Sequence, residues 1–160
     1  MIEREITIRL QAYKNSEELP DLDAALLNAA TASIVHSYSP YSGFKVAAAV
    51  LLENGEIVTG TNQENAAFPV GICAEGTALS ACSALYPNIA VKAIAVTVKA
   101  GTHIADHPVA PCGVCRQRIA EYEQRFGQSI AVIMRGETGE IYKVDSIQSL
   151  LPLGFSKKDL

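Results

Sequence analysis

The chain has 160 residues, of which 49% are hydrophobic and 19% charged, which fits one folded domain and excludes an intrinsically disordered chain. Its formal net charge of −4 and the lack of a basic stripe disfavour nucleic-acid polymers as partners. No run approaches the roughly 20 apolar residues that span a membrane, and the N-terminus lacks a signal-peptide core. We therefore expect a single cytoplasmic domain, 1–160, without a membrane partner, whose four cysteines are metal ligands or buried thiols.

The first half of the chain predicts an arm, a helix and a hairpin. Residues 1–20 are interpreted as an N-terminal arm, in which the weak alternation over 2–10 allows an extra strand. Residues 21–38 have the apolar spacing of a helix, with Asp21 as a candidate N-cap. Two apolar runs then flank Asn54-Gly55, a dipeptide typical of a type I′ hairpin turn.

The second half alternates helices with strands. The pattern predicts a helix from about Cys73 to Leu85, a strand at 91–99, a loop at 101–110, a helix from Cys112 to Gly127, strands at 129–135 and 140–144, and a short helix at 146–150. The resulting order αββαβαββα predicts an α/β fold, a sandwich around one mixed sheet.

Three cysteines indicate a metal site. Cys112 and Cys115 form a Cys-x-x-Cys pair, and Cys73 comes about forty residues earlier. Three thiolates with one open position describe a catalytic zinc site better than a structural one, which usually has four protein ligands. Cys73 and Cys112 both lie where a loop becomes a helix, and helix N-termini stabilise thiolates. Cys82 is expected to face away from Cys73 as a buried thiol.

Glu75 is the candidate catalytic group. A glutamate two residues after a ligand cannot easily bind the same ion, but it can exchange protons with a metal-bound water and a substrate. The alternative is a first-turn acid that interacts with the helix dipole. His103 and His107 have the spacing of a helical zinc pair, but their surroundings predict a loop. Cys-Ala-Glu together with Pro-Cys-x-x-Cys is a known signature of zinc deaminases.

The sequence resembles the small homotetrameric cytidine deaminases from about Asp21 to the end of the chain. The resemblance rests on "PYSGFKVAAA", "GTNQENAAFPVGICAE", "APCGVCRQ" and "LLPLGF", in that order. It implies a three-layer α/β/α sandwich with a mixed five-stranded sheet, and Zn²⁺ held by Cys73, Cys112 and Cys115. It also implies hydrolysis of a free nucleoside: Glu75 carries protons from water to ring N3 and the amino group, water attacks C4, and ammonia leaves.

The resemblance assigns the substrate contacts as well. Asn62 and Glu64 match the pair that hydrogen-bonds the ribose hydroxyls, and residues two apart in an extended segment share a face. Phe44 matches an aromatic near the base, although core packing explains it nearly as well. Ala74 matches the residue whose backbone amide contacts the base carbonyl. Phe155 matches an aromatic that closes over the base of a neighbouring subunit, with packing on its own chain as the alternative.

Gly76 departs from the family pattern, in which an arginine commonly follows Cys-Ala-Glu and hydrogen-bonds the cysteine sulfurs. Zinc with three thiolates carries a net charge of −1, and a nearby cation offsets it. Arg116 is the first candidate for a substitute cation and Arg118 the second. Otherwise the helix dipoles suffice with lower activity, or the substrate differs.

Three functional hypotheses follow. The first is deamination of free cytidine and deoxycytidine to uridine and deoxyuridine. The second is a deaminase of a modified cytosine nucleoside such as blasticidin S, since enzymes of that type also lack the arginine. The third is a non-enzymatic, zinc-stabilised binding module, for which a closed four-ligand site would be expected.

Overall fold

The computed structural model describes residues 1–160, which form six strands and three α-helices. The strands are β1 (Gln11–Tyr13), β2 (Lys45–Leu52), β3 (Ile57–Thr61), β4 (Val91–Lys99), β5 (Ala131–Arg135) and β6 (Ile141–Val144), and the helices are α1 (Asp21–Ser33), α2 (Ala74–Leu85) and α3 (Gly113–Phe126). None of the helices is long and apolar enough to cross a membrane.

The six strands form one mixed sheet in the order β1-β6-β5-β4-β2-β3. Only β4 and β5 run parallel, and the other neighbouring pairs are antiparallel. The mixed sheet is confirmed, but the expected count of five strands is wrong. The extra strand is β1, which adds to the edge at β6 and lies after residues 2–10 rather than within them.

Helices cover both faces of this sheet, which confirms the three-layer sandwich. On one face, Leu26, Leu27 and Ala30 of α1 are fully buried against the sheet. On the other face, α2 and α3 bury Leu79 and Ile119. Because the central strands are covered on both sides, they are apolar almost throughout instead of alternating with polar residues.

Two local predictions were wrong. The N-cap of α1 is Pro20, and Asp21 is the first helical residue without a side-chain capping bond. The hairpin turn is not type I′, which requires positive φ at both central residues. Gly55 has a φ of 87°, but Asn54 does not have positive φ. The N–H of Gly55 donates to Leu52 O over 3.0 Å, the pattern of a type I turn followed by a glycine bulge.

Two predicted helices are also shorter than expected. The first ends at Ser33 and continues only as a 3₁₀ turn over Ile34–His36. The final one is a 3₁₀ turn, Ile147–Ser149, capped by the Ser146 side chain. Residues 101–110 contain no helix, as expected.

Two contacts fix the helices that carry the cysteines. A Cβ added at Gly60 of β3 would lie 2.4 Å from Ala78 N and 2.7 Å from Ala74 O, so the backbone of α2 rests directly on the strand. The Tyr122 hydroxyl of α3 donates to Leu79 O of α2 over 2.7 Å. The sheet and this hydrogen bond together set where the N-termini of α2 and α3 lie.

Candidate active site and metal centre

The N-termini of α2 and α3 bring the predicted metal ligands together. Cys73 is the N-cap of α2, Cys112 is the N-cap of α3, and neither side chain caps its own helix. The Sγ atoms of Cys73 and Cys115 are 2.7 Å apart. The sulfurs of Cys73 and Cys115 are therefore directed at a common point.

The short contact between the two sulfurs shifts their pKa values in opposite directions. The hydrogen bond from Cys115 lowers the pKa of Cys73 to about 6, and the Arg118 guanidinium also lowers it. The same hydrogen bond, together with burial, raises the pKa of Cys115. Thiolates are the form of cysteine that binds a metal, so a cation held by these sulfurs would replace their thiol protons.

A buried acid adjoins the sulfurs. Glu75, in the first turn of α2, is 4% exposed. Its carboxylate and the sulfurs of Cys73 and Cys115 all lie within 4.8 Å of one another. Cys112 is exposed and lies outside this group, but it lines the same cavity of about 190 Å³. Glu75 and the three sulfurs therefore surround one space.

The remaining cysteine and the histidines do not belong to this cluster. Cys82 is 3% exposed and packs in the apolar core, and burial raises its pKa to about 11. The prediction of a buried thiol in the apolar core is confirmed. His103 and His107 lie in an exposed loop and are not part of the metal-binding group.

A second, more open cavity of about 440 Å³ shares Cys73 with the first. Glu64 lies in its wall. The Glu64 carboxylate accepts hydrogen bonds from the backbone N–H groups of Tyr41 (2.9 Å) and Ser42 (3.3 Å) and from the Ser42 hydroxyl. The bond from the Ser42 hydroxyl is the main cause of the lowered pKa of Glu64. The Glu64 carboxylate is thus an ionised hydrogen-bond acceptor at the wall of the cavity.

Asn62 is engaged by the protein itself. Its Oδ1 accepts from Val46 N over 2.8 Å and from the Ser37 hydroxyl, and its Nδ2 donates to Phe44 O over 2.9 Å. An amide nitrogen carries two hydrogens, so one donor of Asn62 is left. The two residues therefore have different surroundings. Asn62 mainly forms hydrogen bonds that stabilise the start of β2, whereas Glu64 lines the open cavity.

The other predicted substrate residues occupy different places. Phe44 lines the inner cavity with Glu75. Ala74 is the first residue of α2, and its N–H has no acceptor within the helix, but the residue is fully buried and lines neither cavity. Phe155 is 59% exposed and lines neither cavity of its own chain, and its carbonyl accepts from Gln117 Nε2.

Gly76 accommodates an arginine from the other helix. A Cβ at Gly76 would lie 1.8 Å from Nη1 of Arg118 and 3.0 Å from its Cζ. Arg116, the first candidate from sequence, instead donates to Pro111 O and Leu150 O. Arg118, the second candidate, is therefore the arginine that lies against the first turn of α2. The sequence spacing could have predicted this position, because Arg118 follows Cys115 by three residues and therefore lies on the same face of the helix.

The donor set fits zinc. Three sulfurs from two helix N-termini match the thiolate ligands that zinc binds, and two of them, those of Cys73 and Cys115, are in direct contact. A buried carboxylate beside such a centre is the arrangement of a metal-dependent hydrolytic site.

Comparisons with known proteins identify the family. The model of the cytidine and deoxycytidylate deaminase zinc-binding region matches residues 20–127. A cytidine deaminase of Sporosarcina psychrophila is 40% identical over 125 residues, covering 78% of this chain and 84% of that protein. One from Halalkalibacterium halodurans is 36% identical over 124 residues, covering 78% and 86%.

The solved structures agree. The crystal structure of cytidine deaminase from Burkholderia pseudomallei matches with a TM-score of 0.71 at 35% identity, covering 82% of this chain and 97% of that chain. The chain belongs to the cytidine and deoxycytidylate deaminase family.

Proposed function

We propose that this protein catalyses the zinc-dependent hydrolytic deamination of free cytidine and deoxycytidine, giving uridine or deoxyuridine and ammonia. The observation that carries the proposal is the buried Glu75 carboxylate, which lies within 4.8 Å of two cysteine sulfurs at the wall of a cavity. The names of the relatives support the same substrate class.

Cys73, Cys112 and Cys115 would hold the metal, and their thiolates favour zinc over a hard cation. When bound, zinc supplies an activated water as the nucleophile. The N-termini of α2 and α3 stabilise the ionised sulfurs. Only three protein ligands are needed, and this argues against the closed site of a binding module.

Glu75 would move the protons. Its carboxylate would take a proton from the attacking water and give it to ring N3, so that water adds across C4 and N3. It would then take the proton of the new C4 hydroxyl and give it to the exocyclic amino nitrogen. The bond from C4 to that nitrogen breaks, C4 becomes a carbonyl, and ammonia leaves. Burial at 4% exposure excludes bulk water from these transfers.

The two adjoining cavities suit the two halves of a nucleoside. The inner cavity would take the base beside Phe44, with C4 toward Glu75. The outer cavity would take the ribose, whose hydroxyls donate to Glu64 and accept the remaining donor of Asn62.

We further propose a cytoplasmic homotetramer of single-domain chains, 1–160, with active sites shared between subunits. The exposure of Phe155 away from the cavities of its own chain supports this arrangement, because the side chain is free to cover the base in a neighbour.

A substrate panel tests the function against its alternative. We expect the zinc-loaded protein to convert cytidine and deoxycytidine, followed as the change in ultraviolet absorbance, and to leave blasticidin S largely unchanged. The antibiotic was considered because Gly76 leaves α2 without the usual arginine. The guanidinium of Arg118 occupies the space beside Gly76, which weakens the argument for a different substrate. Turnover of blasticidin S without turnover of cytidine would reverse the assignment.

We predict that Glu64→Gln raises the KM for cytidine by about tenfold to a hundredfold, because a hydrogen bond to a charged group contributes about 1.5–3 kcal/mol. The kcat should change much less, since the lost contact binds sugar in both ground and transition states. Initial rates over a cytidine concentration series measure both constants. The control is Glu121→Gln, an exposed acid on α3. An unchanged KM would remove Glu64 from the ribose contacts.

A further inference from the structure

We propose that Arg118 is the positioning residue whose positive charge balances the thiolate metal centre, and that Gly76 exists in this chain to admit its guanidinium between α2 and α3. The inference rests on the zinc site of the proposed function and identifies a residue outside its ligand set.

The first observation is steric. Gly76 follows the N-cap Cys73 by three residues on α2, and Arg118 follows Cys115 by three residues on α3. The guanidinium occupies the place where any side chain at position 76 would begin, with Nη1 1.8 Å from that point. Residues 76 and 118 therefore compete for one space beside the sulfurs.

The second observation is an unpartnered donor. Arg118 Nη1 is buried and has no hydrogen-bond partner in the chain. Buried guanidinium nitrogens are normally paired, because leaving one unpaired is costly. The guanidinium lies against the first turn of α2, three residues after the proposed ligand Cys73, and a thiolate there would gain from a charged donor. By contrast, both donors used by Arg116 are bonded to backbone oxygens.

These observations have one electrostatic consequence. Three thiolates and Zn²⁺ sum to −1, so a cation beside them stabilises the loaded site and withdraws charge from the sulfurs. Partners of this kind change metal affinity or activity by about 10–100-fold. In this chain the cation is delivered by α3 across the interface instead of by α2 itself.

The test is a cycle of substitutions read by zinc affinity, measured by competition with a chromophoric chelator at fixed pH. Arg118→Leu should weaken zinc binding about 10–100-fold. Gly76→Ala should weaken it similarly, although alanine favours a helix, because its methyl group displaces the guanidinium. The double variant should be no worse than either single one, since both remove the same interaction.

A swap and a control separate charge from packing. Gly76→Arg combined with Arg118→Leu should restore most of the zinc affinity. Arg125→Leu removes the same charge from an exposed position on α3 and should change nothing. In the Co²⁺-loaded protein, the sulfur-to-metal absorption band should shift in Arg118→Leu and return in the swap, which a purely structural role would not produce.

The outcomes are distinct. If the parent binds zinc tightly but Arg118→Leu and Gly76→Ala retain its affinity and cobalt spectrum, this inference fails while the proposed function stands. Additive losses in the double variant would also contradict it. A parent chain that does not bind zinc would overturn both.

Discussion

Glu75→Gln should retain zinc and lose about 10²–10⁴-fold in kcat for cytidine, because a positioned acid–base group contributes that much to a proton-transfer reaction. The amide keeps the size of the side chain but cannot accept and return a proton. Glu75 does not need to hold the ion, since three cysteines surround the same cavity. Metal analysis and initial rates on the same purified sample measure the two effects.

The control for this variant is Glu121→Gln, which makes the same chemical change on the exposed side of α3. It should match the parent in both zinc content and kcat. Parent-like turnover by Glu75→Gln would show that protons travel by another route and would remove Glu75 from the chemistry.

The second large effect is expected from Cys115→Ala. Cys115 is fully buried and its sulfur contacts that of Cys73, so its loss should abolish stoichiometric zinc binding and with it turnover. Zinc at a thousand times its Kd stabilises the parent by about 4 kcal/mol by mass action. Thermal unfolding with and without zinc should therefore show a metal-dependent rise in Tm for the parent and none for this variant.

Cys82→Ala is the matched control, because it removes a buried sulfur of α2 from the apolar core and not from the metal centre. It should lose some stability but keep the zinc-dependent rise in Tm. An equal loss of zinc binding in both variants would mean that packing of the helices, and not ligation by Cys115, determines metal affinity.

The sequence predicted the parts of the site that depend on local spacing. Cys73 and Cys112 lie at the starts of their helices, as expected, and Glu75 is in the first turn beside them. These features follow from residues close in sequence, where periodicity and helix-breaking residues determine the structure.

Features that depend on contacts between distant segments were harder to predict. The edge strand β1 is three residues long and is stabilised by pairing with β6, more than a hundred residues away in the chain. Whether Arg116 or Arg118 lies near the sulfurs depends on contacts with other segments. Arg116 donates to two backbone oxygens, and Arg118 enters the space beside Gly76 on a different helix. Likewise, Asn62 is hydrogen-bonded to Val46 of β2 and to Phe44 just before it, and local sequence does not reveal these partners.

Gly60 lies outside both cavities, but its contact with α2 affects where the proposed catalytic groups lie. Any larger residue there would push α2 outward, and α2 begins directly after the proposed ligand Cys73 and carries the proposed acid Glu75. A shift of about 1 Å in such groups lowers rates by roughly a hundredfold. Substitutions at position 60 should therefore lower the reaction rate by displacing the reacting groups, although Gly60 itself lines neither cavity.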